Sequence, residues 1–159
     1  MAVALQNILR FIFLILLQVF ILDNIQFMGY INPMIYVLFI LSLPVRFPKW
    51  ALLILAFIMG LIIDVFSNTA GMHSFALVFA AFLRTPVINI FTSLDEGANP
   101  TPSFHTFGVS AYVKYVVILV LIHHFILFFI ESFSFLHLTL LIPKIIISST
   151  VTILLILGL

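Results

Sequence analysis

The residues best equipped for chemistry fall in one stretch, Gly60-Leu-Ile-Ile-Asp64-Val-Phe-Ser67-Asn68-Thr69-Ala-Gly71-Met-His73. A carboxylate, two hydroxyls, an amide and an imidazole gather there in an otherwise apolar chain. Ala56, Gly60 and Asp64 stand at i, i+4 and i+8, so a helix presents two small residues and the acid on one face. Small residues at that spacing let another helix approach closely. A carboxylate at membrane depth faces a bundle interior or water. Two readings follow for Asp64: a contact or structural keystone inside a bundle, or a hydrated acid at a helix end that caps the Ser67 to Gly71 turn.

His123 and His124 are the second polar feature. Neighbours on a helix point about 100° apart, and no His or carboxylate stands three or four residues from either. They suit hydrogen bonding between helices better than a shared metal ion or a proton relay. His105 and His137 read as loop or interface residues. The chain has no cysteine, no glycine-rich phosphate loop, no nucleophile beside a base and no metal-ligand spacing. An enzyme reading finds no support, and neither cofactor nor metal is expected. The 19 phenylalanines suit packing and lipid contact.

The elements that carry these residues must lie in lipid. Of 159 residues, 65% are hydrophobic and 7% charged, with a mean hydropathy of +1.40. Soluble domains carry about 25% charged residues, so this chain lacks the polar surface to face water. A net charge of +1 offers no field for nucleic acid. The N-terminus lacks the basic start and small-residue cleavage site of a signal peptide, so the first apolar run is expected to be retained. Helices are the expected spanning form, because the period-2 alternation of a membrane barrel is missing.

Six spans are expected in a single transmembrane domain over 1–159: about 7–22, 31–43, 50–66, 72 into the eighties, 112–130 and 138–157. Placing the N-terminus in the cytoplasm puts Arg10, Arg46, Lys49, Arg84 and Lys114 inside, with Asp23, Asp64, Glu131 and Lys144 outside. That sorting favours both termini in the cytoplasm. Trp50 to Asp64 spans about 21 Å of helix and His73 to Arg84 about 17 Å. Neither crosses about 30 Å of hydrocarbon, so either Arg84 snorkels from a longer helix or the Ser67 to Gly71 turn lies below the outer surface. In 84–96, Val87, Ile88, Ile90, Phe91 and Leu94 recur at helical spacing, and Pro86 suits a first turn. This predicts an amphipathic helix at the cytoplasmic interface, the alternative being that it finishes the fourth span. A cytoplasmic loop over 97–110 follows.

Two stretches carry a resemblance. Leu17-Gln18-Val19-Phe20-Ile21-Leu22-Asp23-Asn24-Ile25-Gln26, followed by Gly29-Tyr30-Ile31-Asn32-Pro33, resembles the start of the rod shape-determining MreD family in its Bacteroidetes-like branch. Gly60, Asp64, Phe66, Ser67, Asn68, Thr69, Gly71, Met72 and His73 resemble that family's signature, an acid followed by a glycine-bearing turn. The likeness is strongest from Leu17 to Arg84. It implies a scaffold subunit of the cell-wall elongation complex in the bacterial inner membrane that maintains rod shape. Implied partners are MreC, the MreB filament indirectly, a RodA-type glycosyltransferase and its penicillin-binding transpeptidase, with membrane lipid around them. It also implies an all-α bundle similar to the substrate-binding component of energy-coupling-factor vitamin transporters. Ala56, Gly60, Asp64, Ser67, Asn68, Thr69, Gly71 and His73 are the expected partner-contact or motif positions. The rival expectation is a solute-binding transport component with a cavity lined by Asp64, Asn68 and His73. A proton-coupled channel using Asp64 and His123 is a third, without a second acid at mid-membrane.

Overall fold

The computed structural model describes residues 2–25, 31–95, 97–132 and 138–159. Gln26, Gly29, Tyr30, Glu96 and His137 lie outside the described residues. The described chain is all-helical: α1 (Ala2–Leu17), continued by a π-helical turn (Gln18–Leu22), α2 (Val37–Leu41), α3 (Lys49–Ser67), α4 (Met72–Phe91), α5 (Phe104–Phe107), α6 (Val109–Ser132) and α7 (Leu138–Gly158). Among the described residues five helices are long and apolar enough to cross a membrane, which fits a multi-pass membrane protein.

Each long helix buries one stripe and exposes the rest. In α3 the buried positions are Leu52, Ala56, Met59, Gly60, Ile63 and Asp64, a helical period, while Ile54, Phe57, Leu61 and Val65 are exposed. Exposed apolar faces on every long helix are what lipid-facing spans require. The buried stripes of α3, α4 and α6 converge on one core with Tyr36, Ile40 and Leu119.

The expected second span takes another form. Only Val37–Leu41 is helical, about 7.5 Å of rise, yet Met34, Ile35, Tyr36 and Val37 are almost fully buried. The segment runs antiparallel to the second half of α1. Gln18 bonds Pro33 and Ile35, Phe11 packs edge-on against Phe39, and Arg10 bonds Ser42. Pro33 removes an amide donor where a helix would begin, and irregular backbone in a bundle persists only with protein partners. Here they are side chains: the Ile35 amide donates to Gln18 Oε1 at 3.0 Å, the Met34 amide to Thr152 Oγ1 at 3.0 Å and the Asn32 amide to Ser148 Oγ at 3.2 Å.

Two further expectations change. Helix α4 runs through Pro86 to Phe91, so Pro86 does not open a separate helix over 84–96. Val87 and Ile88 sit in the core, and their burial outweighs the hydrogen bond that Pro86 forfeits. The 97–110 segment is not all loop. It contains α5, closed by a reciprocal Ser103–Thr106 cap, and α6 has begun by Val109.

Candidate functional site

The Asp64 corner is built where α3 ends and α4 begins. Asn68 terminates α3 in the left-handed conformation (φ 53°), one that asparagine tolerates better than most residues. Gly71, at φ 80°, precedes the first turn of α4. A glycine brings no side chain to cap that turn, and the first amides of a helix lack intrahelical acceptors. Asp64 supplies the cap from the preceding helix. Its Oδ1 accepts from the His73 amide at 3.0 Å and from Thr69 Oγ1 at 2.6 Å. Its Oδ2 accepts from the Ser74 amide at 2.9 Å and from Ser74 Oγ at 2.6 Å. His73 Nδ1 lies 3.1 Å from Oδ1. An ionised carboxylate only accepts, so Nδ1 carries the proton on this contact. Asp64 is 2% exposed, and its negative charge sits at the positive end of α4. It is a buried keystone that caps the turn, not a hydrated one.

Gly60 explains the close approach. A Cβ built there would lie 2.4 Å from Ser74 Cα and 2.6 Å from Ser74 N. Both are backbone atoms of the turn that Asp64 holds. Gly60→Ala must therefore push α4 off its cap, and we expect it to lower stability by about 1–3 kcal/mol, read as the unfolding midpoint in mild detergent.

A second buried charge lies toward the other end of α4. Arg84 is fully buried and makes no ion pair among the described residues. Its guanidinium donates to the carbonyls of Leu43 and Pro44, and its Nε donates to Tyr115 Oη at 3.1 Å. Tyr115 in turn donates to Leu41 O at 3.0 Å. These carbonyls lie at and just beyond the end of the short α2, where the helix supplies no further amide. Arg84 thus neither snorkels to the surface nor ends its helix.

Ring and hydrogen-bond contacts lead from the Asp64 corner into the bundle. The His73 ring meets the edge of Tyr36 at 6.0 Å, Tyr36 Oη lies 2.9 Å from His123 Nε2, and His124 Nε2 lies 3.1 Å from Thr152 Oγ1. His123 and His124 therefore bond to different neighbours, as their angular separation requires, and His123 Nδ1 is buried with no hydrogen-bond partner among the described residues. No group of three metal-capable side chains occurs among the described residues.

Two clefts open at opposite ends. The first, about 330 Å³, is lined by Asp23, Asn24, Asn32, Thr69, His73 and Glu131 among others. Asp23 there holds Ser67 Oγ at 3.0 Å and Gln18 Nε2 at 2.7 Å, joining the ends of α1 and α3. Glu131 pairs with Lys144 at 2.8 Å. The second, about 510 Å³, is lined by Arg46, Lys49, Thr85, Asn89 and Thr92 among others.

The structure therefore gathers Gly60, Asp64, Thr69, Gly71 and His73 into one corner. Ala56 lies fully buried on the same α3 stripe, so the face expected to meet a partner is covered by this chain's own α4. Ser67 and Asn68 stand apart, on Asp23 and at the end of α3. Of the residues expected to line a cavity, only His73 does. Sequence reasoning missed Gln18, Tyr36, Tyr115, Thr152 and the burial of Arg84. The one available signal for Arg84 was the short distance between polar ends of its helix. No family model, curated protein or solved structure matches this chain.

Proposed function

We propose that this chain is a non-catalytic scaffold subunit of the bacterial inner membrane, acting in the cell-wall elongation complex that maintains rod shape, as its resemblance to the MreD family implies. One observation carries the reading beyond that resemblance: the motif's Asp64 and Thr69 are consumed in closing an internal corner onto the first amides of α4. A motif used this way builds a rigid frame and leaves apolar helix faces for partner spans, where association rests on packing. Helix α1 is the least covered, with 17% of its apolar window buried. Leu9, Phe13 and Leu16 are exposed on it.

We further read the 31–43 segment as a sixth, broken crossing that returns the chain from the Asp23 end to the Arg46 end. Both termini are then cytoplasmic, in a bundle similar to that of vitamin-transporter substrate-binding components. Photo-crosslinkers at Leu9 and Phe13 in cells should capture the membrane span of MreC, and depletion should turn rods into spheres. Rod shape retained on depletion, with no MreC captured, would sink the scaffold.

The acidic cleft favours a second reading, a solute-binding transport subunit. Among the described residues its ionisable linings are Asp23, Glu131 and His73, and Nδ1 of His73 is held by Asp64, leaving Nε2 for the cleft. Such a lining suits a small amine-bearing solute. Co-purification with an ATPase module, together with a thermal shift by one solute, would favour it over the scaffold.

A further inference from the structure

The cleft at the opposite end belongs to neither reading. It lies between the turn leading into α3 and the last turns of α4, and Arg46 and Lys49 bring its charge. None of its described lining residues is acidic, and neither cation makes an ion pair among the described residues. Asp95, exposed one residue beyond the lining Leu94, also makes none. Thr85, Asn89 and Thr92 add hydroxyl and amide groups to the wall.

The backbone that presents Arg46 is fixed rather than loose. Its amide donates to Asn99 Oδ1 at 2.7 Å, and the Val45 amide donates to Pro100 O at 3.0 Å. Lys49 Nζ stands 4.3 Å over the exposed Phe82 ring. Trp50, the only tryptophan, is 70% exposed beside it. Tryptophan with lysine and arginine marks the headgroup level of a bilayer, so the cleft opens at the depth where lipid phosphates lie.

We propose that this cleft binds the headgroup phosphate of an anionic phospholipid, with Arg46 and Lys49 as its ligands. Arginine takes two phosphate oxygens through its planar fork, and lysine adds a point charge. A zwitterionic lipid brings its own cation into a pocket that already holds two. An anionic lipid such as phosphatidylglycerol does not, and basic pockets between spanning helices recognise such headgroups.

Trp50 is a built-in reporter. The chain is reconstituted in vesicles of brominated phosphatidylcholine, which quenches it, with a rising fraction of unbrominated phosphatidylglycerol. Binding at the cleft makes phosphatidylglycerol relieve quenching about ten-fold more effectively than unbrominated phosphatidylcholine does. Arg46→Gln with Lys49→Gln brings that ratio to about one. Lys114→Gln, removing an exposed cation outside the cleft, leaves it unchanged. Both substituted cleft residues are exposed, and equal melting of variant and parent verifies the fold. A ratio near one in the parent overturns the proposal, as does an unchanged ratio in the double variant. If millimolar inorganic phosphate, against chloride of equal ionic strength, abolishes the preference, the cleft reads free anions and the lipid assignment fails.

Discussion

Replacing Asp64 with alanine is expected to cost about 3–5 kcal/mol of stability in detergent and to strip the membrane of most of the protein. The variant leaves two buried amides, His73 and Ser74, and two hydroxyls, Thr69 and Ser74, without their acceptor. Each orphaned donor costs about 1–3 kcal/mol when water cannot reach it. Relaxation of the turn recovers part of the total, which sets the lower figure. Asp64→Asn keeps one carbonyl oxygen but turns an NH₂ toward donors already present, so it should fall between parent and alanine. A hydrated acid at a helix end would make alanine and asparagine alike and nearly silent. Thermal unfolding of the three proteins in one detergent separates the cases.

Arg84→Met is expected to be similarly severe, about 3–5 kcal/mol. Methionine fills much of the volume but leaves the Leu43 carbonyl and the Tyr115 hydroxyl without their donor and leaves Pro44 O only the Phe47 amide. Arg84→Lys should recover only part of the loss, because a single ammonium cannot spread over Leu43, Pro44 and Tyr115 as the guanidinium fork does. The failure should also be local. Limited proteolysis should cut the Arg84→Met variant first around 43–48, where the guanidinium holds the chain, and the Asp64→Ala variant first around 67–71. The same first cut in both would mean that the two charges do not hold separate ends of the fold.

Those two residues differ in how much the sequence revealed. Asp64 was legible because its partners are near in sequence: a turn with glycine and an acid one helical face above it announce a cap. Helix α3 was legible for a related reason, since its apolar run is bounded by Pro48 and by the Asn68 turn. Arg84 was not legible. Its partners are backbone carbonyls 40 and 41 residues away, and a carbonyl leaves no mark in composition. Segment 31–43 is apolar enough to read as a span, but its path is set by Gln18, Ser148 and Thr152, which only the finished bundle brings to it. Pro86 misled because helix-start chemistry is local, whereas the burial of Val87 and Ile88 is a tertiary effect that overrides it.

The two corners act together on the broken segment. Near one end it is held by Gln18, which also bonds the Asp23 that receives Ser67 at the foot of α3. At the other it is held by Arg84 and by Arg10, which donates to Ser42. A segment whose first amides pair with side chains of other elements is stable only while both grips hold. This arrangement also accounts for the sorting of charge, with Asp23 and Glu131 around one cleft and Arg46 and Lys49 around the other.

The most direct test is sidedness, and the absence of cysteine makes it clean. Single cysteines are placed at Asn24 and at Ser93, both exposed, in otherwise unaltered chains expressed in intact spheroplasts. The broken crossing proposed for 31–43, held by Gln18 at one end and Arg84 at the other, predicts that an impermeant maleimide labels position 24 at once and position 93 only after permeabilisation. Labelling of both positions from the same side would contradict it.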